Sequence, residues 1–264
     1  MNKFQIITLF PDYFTSPLKE GLLGRAFKEG LMEVSFSNPR QFTQDGRVDD
    51  YPFGGGDSMI LSYTPLKQSL ESFTKKGYVV YPSPQGRPWS ARKARIFAKH
   101  PLITLICGRY GGVDERFIRD SVDEEISLGD YVLNGGEAAV LTLLESLSRF
   151  IPGVLGNEKS AEEESFEGIG LLEGPQWTRP RSIEGHQIPE VLFSGHHEKI
   201  KNFRFFASLV LTALKRPELI TDFSLQKRLS KAQQALKALS SEELRALGLR
   251  PVDLERSDFF TNGL

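Results

Sequence analysis

Between residues 102 and 137 the chain reads LITLICGRYGGVDERFIRDSVDEEISLGDYVLNGGE, and this stretch decides the fold. Two short apolar runs, 102–107 and 125–128, each end in a glycine-rich turn. The first turn is Gly108-Arg109-Tyr110-Gly111-Gly112; the second is Gly129-Asp130-Tyr131-Val132-Leu133-Asn134-Gly135-Gly136. Glycine lets main chain approach a ligand closely and adopt positive φ. Turns at strand ends are where α/β sheets keep their ligand crevices. A further turn, Pro82-Ser83-Pro84-Gln85-Gly86-Arg87, follows the β-type run 78–81. Taken singly, each is an ordinary strand-to-helix turn. Three of them, each after an apolar run, predict one pocket walled mostly by main chain. The nucleotide fingerprints G-x-G-x-x-G after the first strand and G-x-x-x-x-G-K-[ST] are absent, which disfavours a Rossmann or P-loop protein.

Working outward, residues 4–10 and 32–37 read as strands, and 13–27 as a helix ending near Gly30. Residues 41–57 form a long, polar, glycine-rich loop. Leu66, Leu70 and Phe73 give 65–73 helical spacing, and a basic helix at 91–98 lies between two strands. Strands alternating with helices predict a parallel α/β sheet. The clearest helix is 137–150, with Val140, Leu144 and Leu147 on one stripe and Leu141 and Phe150 beside it. It starts directly after Gly135-Gly136, so its first N–H groups face the glycine turn, a place suited to a carboxylate or other electron-rich group. Pro152 ends it. Glu158, Glu162, Glu163, Glu164 and Glu167 then mark a mobile acidic linker. Beyond it, helical patterns run through 198–215 and through Leu225, Leu229, Ala232, Leu236 and Leu239, and Ser240 with Glu243 makes a capping box. The expected organisation is a first domain at 1–157, a linker at 158–170, and a small helical domain at 171–264.

Composition narrows the class. With 264 residues, 39% hydrophobic and 25% charged, the chain suits one large or two modest globular domains. The single Cys107 forms no internal disulfide, which points to a reduced, cytoplasmic setting. No apolar stretch reaches membrane-spanning length, and no signal peptide opens the chain, so no membrane partner is expected. A net charge of −1 means that any basic excess for nucleic acid is local. Arg179, Arg181, Lys199, Lys201, Arg204, Lys215 and Arg216 are candidates, although charge runs are more often solvated faces. His186, His196 and His197 with Glu198 fit no standard zinc spacing, so no metal ligands are assigned.

The segments VDDYPFGGG (48–56), PSPQGR (82–87), CGRYGGVDER (107–116), SLGDYVLNGGE (127–137) and SRFIPGVLG (148–156) carry a resemblance that is long and ordered. Together they resemble the bacterial tRNA (guanine-N1)-methyltransferases of the trefoil-knotted (SPOUT) superfamily, from the amino terminus to about residue 220. The resemblance implies a trefoil-knotted α/β domain followed by an all-helical carboxy-terminal domain. It implies S-adenosylmethionine in the knot, held by Tyr81, Ser83 and Pro84, by Gly108, Tyr110 and Gly111, and by Leu128, Gly129, Asp130, Tyr131, Val132, Leu133, Asn134, Gly135 and Gly136. Chemically this set is apt: main-chain groups read an adenine edge while Leu128, Leu133 and Tyr81 offer apolar surface. The same residues also read as turn and core positions. A tRNA substrate methylated on the guanine immediately 3′ of the anticodon, a homodimer with shared active sites, and magnesium dependence are further implications of the resemblance.

Two residues carry the implied chemistry. Arg149, by itself, reads as a partner for a carboxylate or for the last helix carbonyls. The resemblance implies instead that it holds guanine O6, where charge gathers as the N1 proton leaves. Family members carry an aspartate before Ser-Phe as general base; here the run is Ser160-Ala161-Glu162-Glu163-Glu164-Ser165-Phe166, and Glu164 stands at that position. Glutamate has a similar unperturbed pKa and one more methylene. Glu163 competes for the role, and a merely solvated acidic linker is the plain reading. Arg25 and Asp50 are the tRNA-side choices, Asp50 as acceptor for the guanine amine; a loop-ordering ion pair is the plain reading for both. The rivals are a knotted methyltransferase acting on another RNA position and a non-catalytic RNA-binding relative.

Overall fold

Parallel strands covered on both faces need near-continuous apolar runs, and the central strands of this chain have them. In the computed structural model, which describes residues 1–156 and 164–255, the chain divides into two units, Met1–Ala161 and Glu162–Leu264. In chain order the first holds β1 (Asn2–Ile7), α1 (Gly21–Lys28), β2 (Met32–Ser37), β3 (Asp49–Asp50), β4 (Ile60–Leu61) and α2 (Tyr63–Glu71). There follow β5 (Tyr78–Pro88), α3 (Ala91–Phe97), β6 (Leu102–Ile106), α4 (Glu115–Ser121), β7 (Glu124–Ser127) and α5 (Glu137–Ser148). The five-stranded sheet has the order β2-β1-β6-β5-β7, and every pairing in it is parallel.

Side-chain alternation splits the core into two layers. Phe4, Ile6, Val80, Ile103 and Leu105 face α1, α3 and α5, where Leu23, Ala26, Ala94, Phe97, Val140, Leu144 and Leu147 complete one cluster. Ile7, Val79, Tyr81 and Ile106 face the other way, onto Leu66 and Leu70 of α2 and Phe117 of α4. This is an α/β/α sandwich built on the parallel sheet that the sequence predicts. Its ligand crevice is expected beyond the carboxyl ends of the strands.

Two expectations differ in detail. The helix read at 13–27 begins only at Gly21; Pro11–Phe14 is a 3-10 turn instead. Pro17 has no N–H to give and its ring clashes with the preceding turn, so a continuous helix is excluded there. The segment read as a turn at 82–87 continues the strand to Pro88, with the register to β7 shifting between Pro82 and Arg87. Pro84 falls inside the interruption and Pro82 at its edge, which is where a strand tolerates proline.

The second unit begins with a short hairpin, β8 (Ser182–Ile183) and β9 (His186–Gln187), and continues with α6 (His197–Lys215), α7 (Phe223–Leu236) and α8 (Ser241–Ala246). Phe203, Ala207, Val210 and Leu211 of α6 pack with Leu225, Leu229, Ala232 and Leu236 of α7 and Leu244 of α8. Asp222 caps α7 by accepting from Ser224 N–H, and the Ser240/Glu243 capping box at α8 is present in full. Residues 164–170, the described part of the acidic stretch, form a turn rather than an extended tether. Phe166 N–H donates to the Leu171 carbonyl at 2.9 Å, and Gly170 N–H to that of Glu167 at 2.8 Å.

Candidate cofactor cavity

The ends of β5, β6 and β7 enclose a cavity of about 310 Å3, a volume at the small-molecule end of binding sites. Its walls are the three predicted segments. Tyr81, Ser83 and Pro84 come from the irregular part of β5; Gly108, Tyr110 and Gly111 follow β6; Leu128, Gly129, Tyr131, Val132, Leu133, Asn134, Gly135 and Gly136 follow β7. Of the positions expected to hold the cofactor, only Asp130 does not line it.

Backbone proximity explains why the sequence spends glycine here. A Cβ on Gly136 would lie 2.7 Å from Gly108 N and 2.8 Å from the Cys107 Cα. The Gly136 N–H donates to the Gly108 carbonyl at 2.8 Å, so the two turns are joined main chain to main chain. A Cβ on Gly108 would meet the Tyr81 ring at 2.8 Å, which ties the first wall to the second. Gly129 has φ +148, and Tyr110 sits at φ +58 without being glycine, a costly conformation that the surrounding structure must impose.

The walls combine exposed main chain and polar side chains such as Ser83, Gln85 and Asn134 with the apolar surface of Tyr81, Leu128 and Leu133. Tyr81 is buried, and burial, followed by the charge of Glu125, pushes its phenol up to about 12. Val132 is 86% exposed and Tyr131 56%, so the third turn presents apolar surface outward with nothing in its own unit to cover it. Ser83 accepts a hydrogen bond from Gln85 N–H at 3.1 Å, and Gly129 N–H donates to Ser127 Oγ at 3.2 Å. Cys107, under the second turn, is held well above its usual thiol range by burial and by the Glu137 charge. A thiolate nucleophile is therefore disfavoured at this position.

The remaining predicted residues lie elsewhere. Arg149 follows the last residue of the 12-residue α5 and does not line the cavity. At 1.5 Å per residue it stands about 20 Å along the helix from Gly136. Glu164 belongs to the second unit, and its carbonyl accepts from Glu167 N–H at 3.3 Å; its competitor Glu163 lies outside the described residues. Asp50 accepts from Tyr51 N–H at 2.8 Å and pairs with Arg47 at 3.3 Å, the loop-ordering contact anticipated for it. Even so, Asp50 pairs with Ile60, and Ile60 bridges to Tyr110. Asp50 thus stands two strand spacings, about 10 Å, from a cavity wall. Arg25 donates to the Val154 carbonyl at 2.5 Å and approaches Glu29 at 3.7 Å, outside the cavity.

Sequence reading missed Arg109 and Glu137. Arg109 lines the cavity, and its Nη2 lies 2.9 Å from the buried carboxylate of Glu137. Both residues sit inside the quoted stretch, but their pairing is tertiary and no local pattern announces it. Among the described residues, no group of three or more His, Cys, Asp or Glu side chains is placed to hold a metal ion.

With this geometry in place, the comparisons decide the family. The family profile described as tRNA (Guanine-1)-methyltransferase TrmD matches residues 2–222. The chain belongs to this family. It is 44% identical over 227 residues to a tRNA (guanine-N(1)-)-methyltransferase of Hydrogenovibrio crunogenus, covering 84% of the chain and 95% of that protein. A protein of the same name from Shewanella halifaxensis is 46% identical over 226 residues, covering 83% and 91%. One from Chlamydia muridarum is 49% identical over 224 residues; the match covers 84% of this chain and 63% of that longer relative. The matched span takes in every wall of the cavity and ends before α7.

Proposed function

We propose that this chain is a tRNA methyltransferase that moves the methyl group of S-adenosylmethionine to N1 of the guanine immediately 3′ of the anticodon. The observation that carries the reading is the convergence of three glycine-rich segments on one cavity whose walls a single Cβ would invade. Such a cradle fits a flat adenine against main chain, with Leu128, Leu133 and Tyr81 as apolar surface. Family membership names the reaction class, and a trefoil knot accompanies that membership. When bound, S-adenosylmethionine supplies an electrophilic methyl on a sulfonium, so no enzyme nucleophile is needed and Cys107 has no covalent role.

The chain's own residues then have three tasks. Glu164 takes the N1 proton, since a carboxylate within reach is a competent general base. Arg149 holds O6 as negative charge moves onto it. Asp50 accepts from the guanine amine, and Arg25, which donates to the Val154 carbonyl, is the second tRNA-side residue. The site is shared: one copy supplies the cavity, and a second copy brings Arg149 and Glu164. The length of α5 supports this, because it keeps Arg149 about 15 Å along the helix from Ala139, the last α5 residue to line the cavity of its own copy. A tRNA substrate fits a cytoplasmic homodimer. No described helix is long and apolar enough to cross a membrane.

The test is transfer of labelled methyl to two tRNA transcripts that differ only in guanine or adenine after the anticodon. Label on N1 of guanine in the first and none in the second is expected. Label at another position supports the rival specificity; binding of the donor without transfer supports a non-catalytic relative.

A further inference from the structure

Glu137 opens α5 with its side chain almost fully buried, 1% exposed. Its Oε1 accepts a hydrogen bond from the Thr8 hydroxyl at 2.8 Å, a contact buried just beyond the end of β1. Its Oε2 lies 2.9 Å from Arg109 Nη2. That approach is a charge contact out of line for hydrogen bonding: Oε2 and Arg109 Nε are both buried without a hydrogen-bond partner. The guanidinium makes two further contacts. Nη1 donates to the Asn134 carbonyl at 3.2 Å, and its carbon sits 4.5 Å over the centroid of the Phe10 ring. Gly135 lies close beside both charges; a Cβ there would lie 2.4 Å from Arg109 Nε and 2.7 Å from Glu137 Oε2.

We propose that Thr8, Glu137 and Arg109 are one positioning device, which sets the spacing of the second and third walls of the cavity and hence affinity for the methyl donor. The proposal rests on the reading of that cavity as the S-adenosylmethionine site. A buried charge pair is a poor way to gain stability, because an apolar pair of equal volume does as well or better. What it supplies is direction. A planar guanidinium fixes a carboxylate and a carbonyl in one frame, here Glu137 at the helix start and Asn134 in the turn before it. Thr8 fixes the carboxylate in turn, so the frame is anchored to the sheet. The out-of-line contact leaves one more hydrogen bond to be made, which a small movement of the third turn toward the second completes. Closing the cavity and strengthening the pair are then the same movement.

Calorimetry of the full chain with S-adenosylmethionine tests this, with melting temperatures recorded beside it. Glu137→Gln keeps the shape and removes the charge; it should raise Kd about tenfold, the weight of a hydrogen bond to a charged group. Thr8→Val should raise it about threefold. Arg109→Lys combined with Glu137→Gln should bind no worse than the weaker single variant, since residues acting as one unit are not additive. With saturating donor, kcat should stay near that of the wild type while KM for the donor rises. A cluster that only stabilises the fold would lower melting temperatures and leave Kd in place. Kd values within twofold of the wild type for Glu137→Gln and Thr8→Val, or additive losses in the double variant, overturn the proposal. If Glu137→Gln does not fold, Thr8→Val decides. A wild type that fails to bind the donor overturns the underlying reading of the cavity instead.

Discussion

The two units of this chain are built from different materials. In Met1–Ala161 the candidate site is main chain held close to main chain, and the residues that matter are those with no side chain: Gly108, Gly135 and Gly136. In Glu162–Leu264 the structure comes from leucine and alanine stripes on α6 and α7, with cations lying over rings at the surface. Arg228 sits 4.0 Å over Phe205, Arg181 3.9 Å over Phe193, and Lys227 4.7 Å over Phe223. The lesson is about tolerance. The cavity walls of the first unit are intolerant of an added methyl at Gly108, Gly135 and Gly136, whereas the second unit can exchange a surface cation with little change to its core. The family match follows the same division: it covers every cavity wall and stops at residue 222, before α7.

Substitutions that separate the two kinds of construction give graded effects. The largest belongs to a single group of the second unit: Glu164→Gln should slow single-turnover transfer by roughly two to four powers of ten, the usual worth of a positioned base. Donor binding should be nearly unchanged, and equal rates for variant and wild type would remove Glu164 from the role. Gly135→Val comes next. Its new atoms must displace Arg109 and Glu137, and overpacking of this kind should weaken donor binding by about 10- to 100-fold in calorimetry. An unaltered Kd would mean that the walls are softer than their spacing suggests.

Smaller effects are expected on the helical surface. Lys227→Ala with Arg228→Ala should weaken tRNA binding several-fold and reduce the slope of log K against log salt by about one per charge lost. Donor affinity should not change; an unchanged salt slope would show that this face does not meet phosphate. The smallest effect concerns Tyr81, whose phenol is pushed up to about 12 by burial and by Glu125. A raised folded pKa favours the protonated form, so its contribution to stability is complete below the unfolded value of about 10 and is lost as pH rises toward 12. Ultraviolet titration should show Tyr81→Phe removing one late-ionising phenol; removal of an early one would contradict its burial.

The pocket was legible because its signals are local. An apolar run followed by glycines announces a strand end and a close approach, and 102–137 contains two such units in sequence. The α5 stripe and the Ser240 capping box were equally local. Other features depended on distant partners. The Thr8–Glu137 hydrogen bond joins residues 129 apart, and Arg109 meets Glu137 only because the two turns lie side by side. The extension of β5 through Pro82 and Pro84 was hidden because prolines usually end a strand, and only the shifted pairing with β7 accommodates them. The late start of α1 was written in Pro17, which the apolar spacing around it outweighed. Arg149 came from the family resemblance, not from its own residues, and its distance from the cavity becomes visible only when α5 is seen as a straight rod.

That distance makes the shared site the central claim, and mixed subunits test it most directly. A Gly135→Val copy has a damaged cavity and an intact Glu164; a Glu164→Gln copy has the reverse. With donor held well below the Kd of the damaged cavity, each alone should transfer little methyl. If one copy supplies the cavity and the other the base, half of the randomly paired dimers are mixed and each has one whole site, so co-refolding should recover about a quarter of wild-type activity. Mixtures no more active than the separate variants would contradict the account, leaving cavity and base in the same copy.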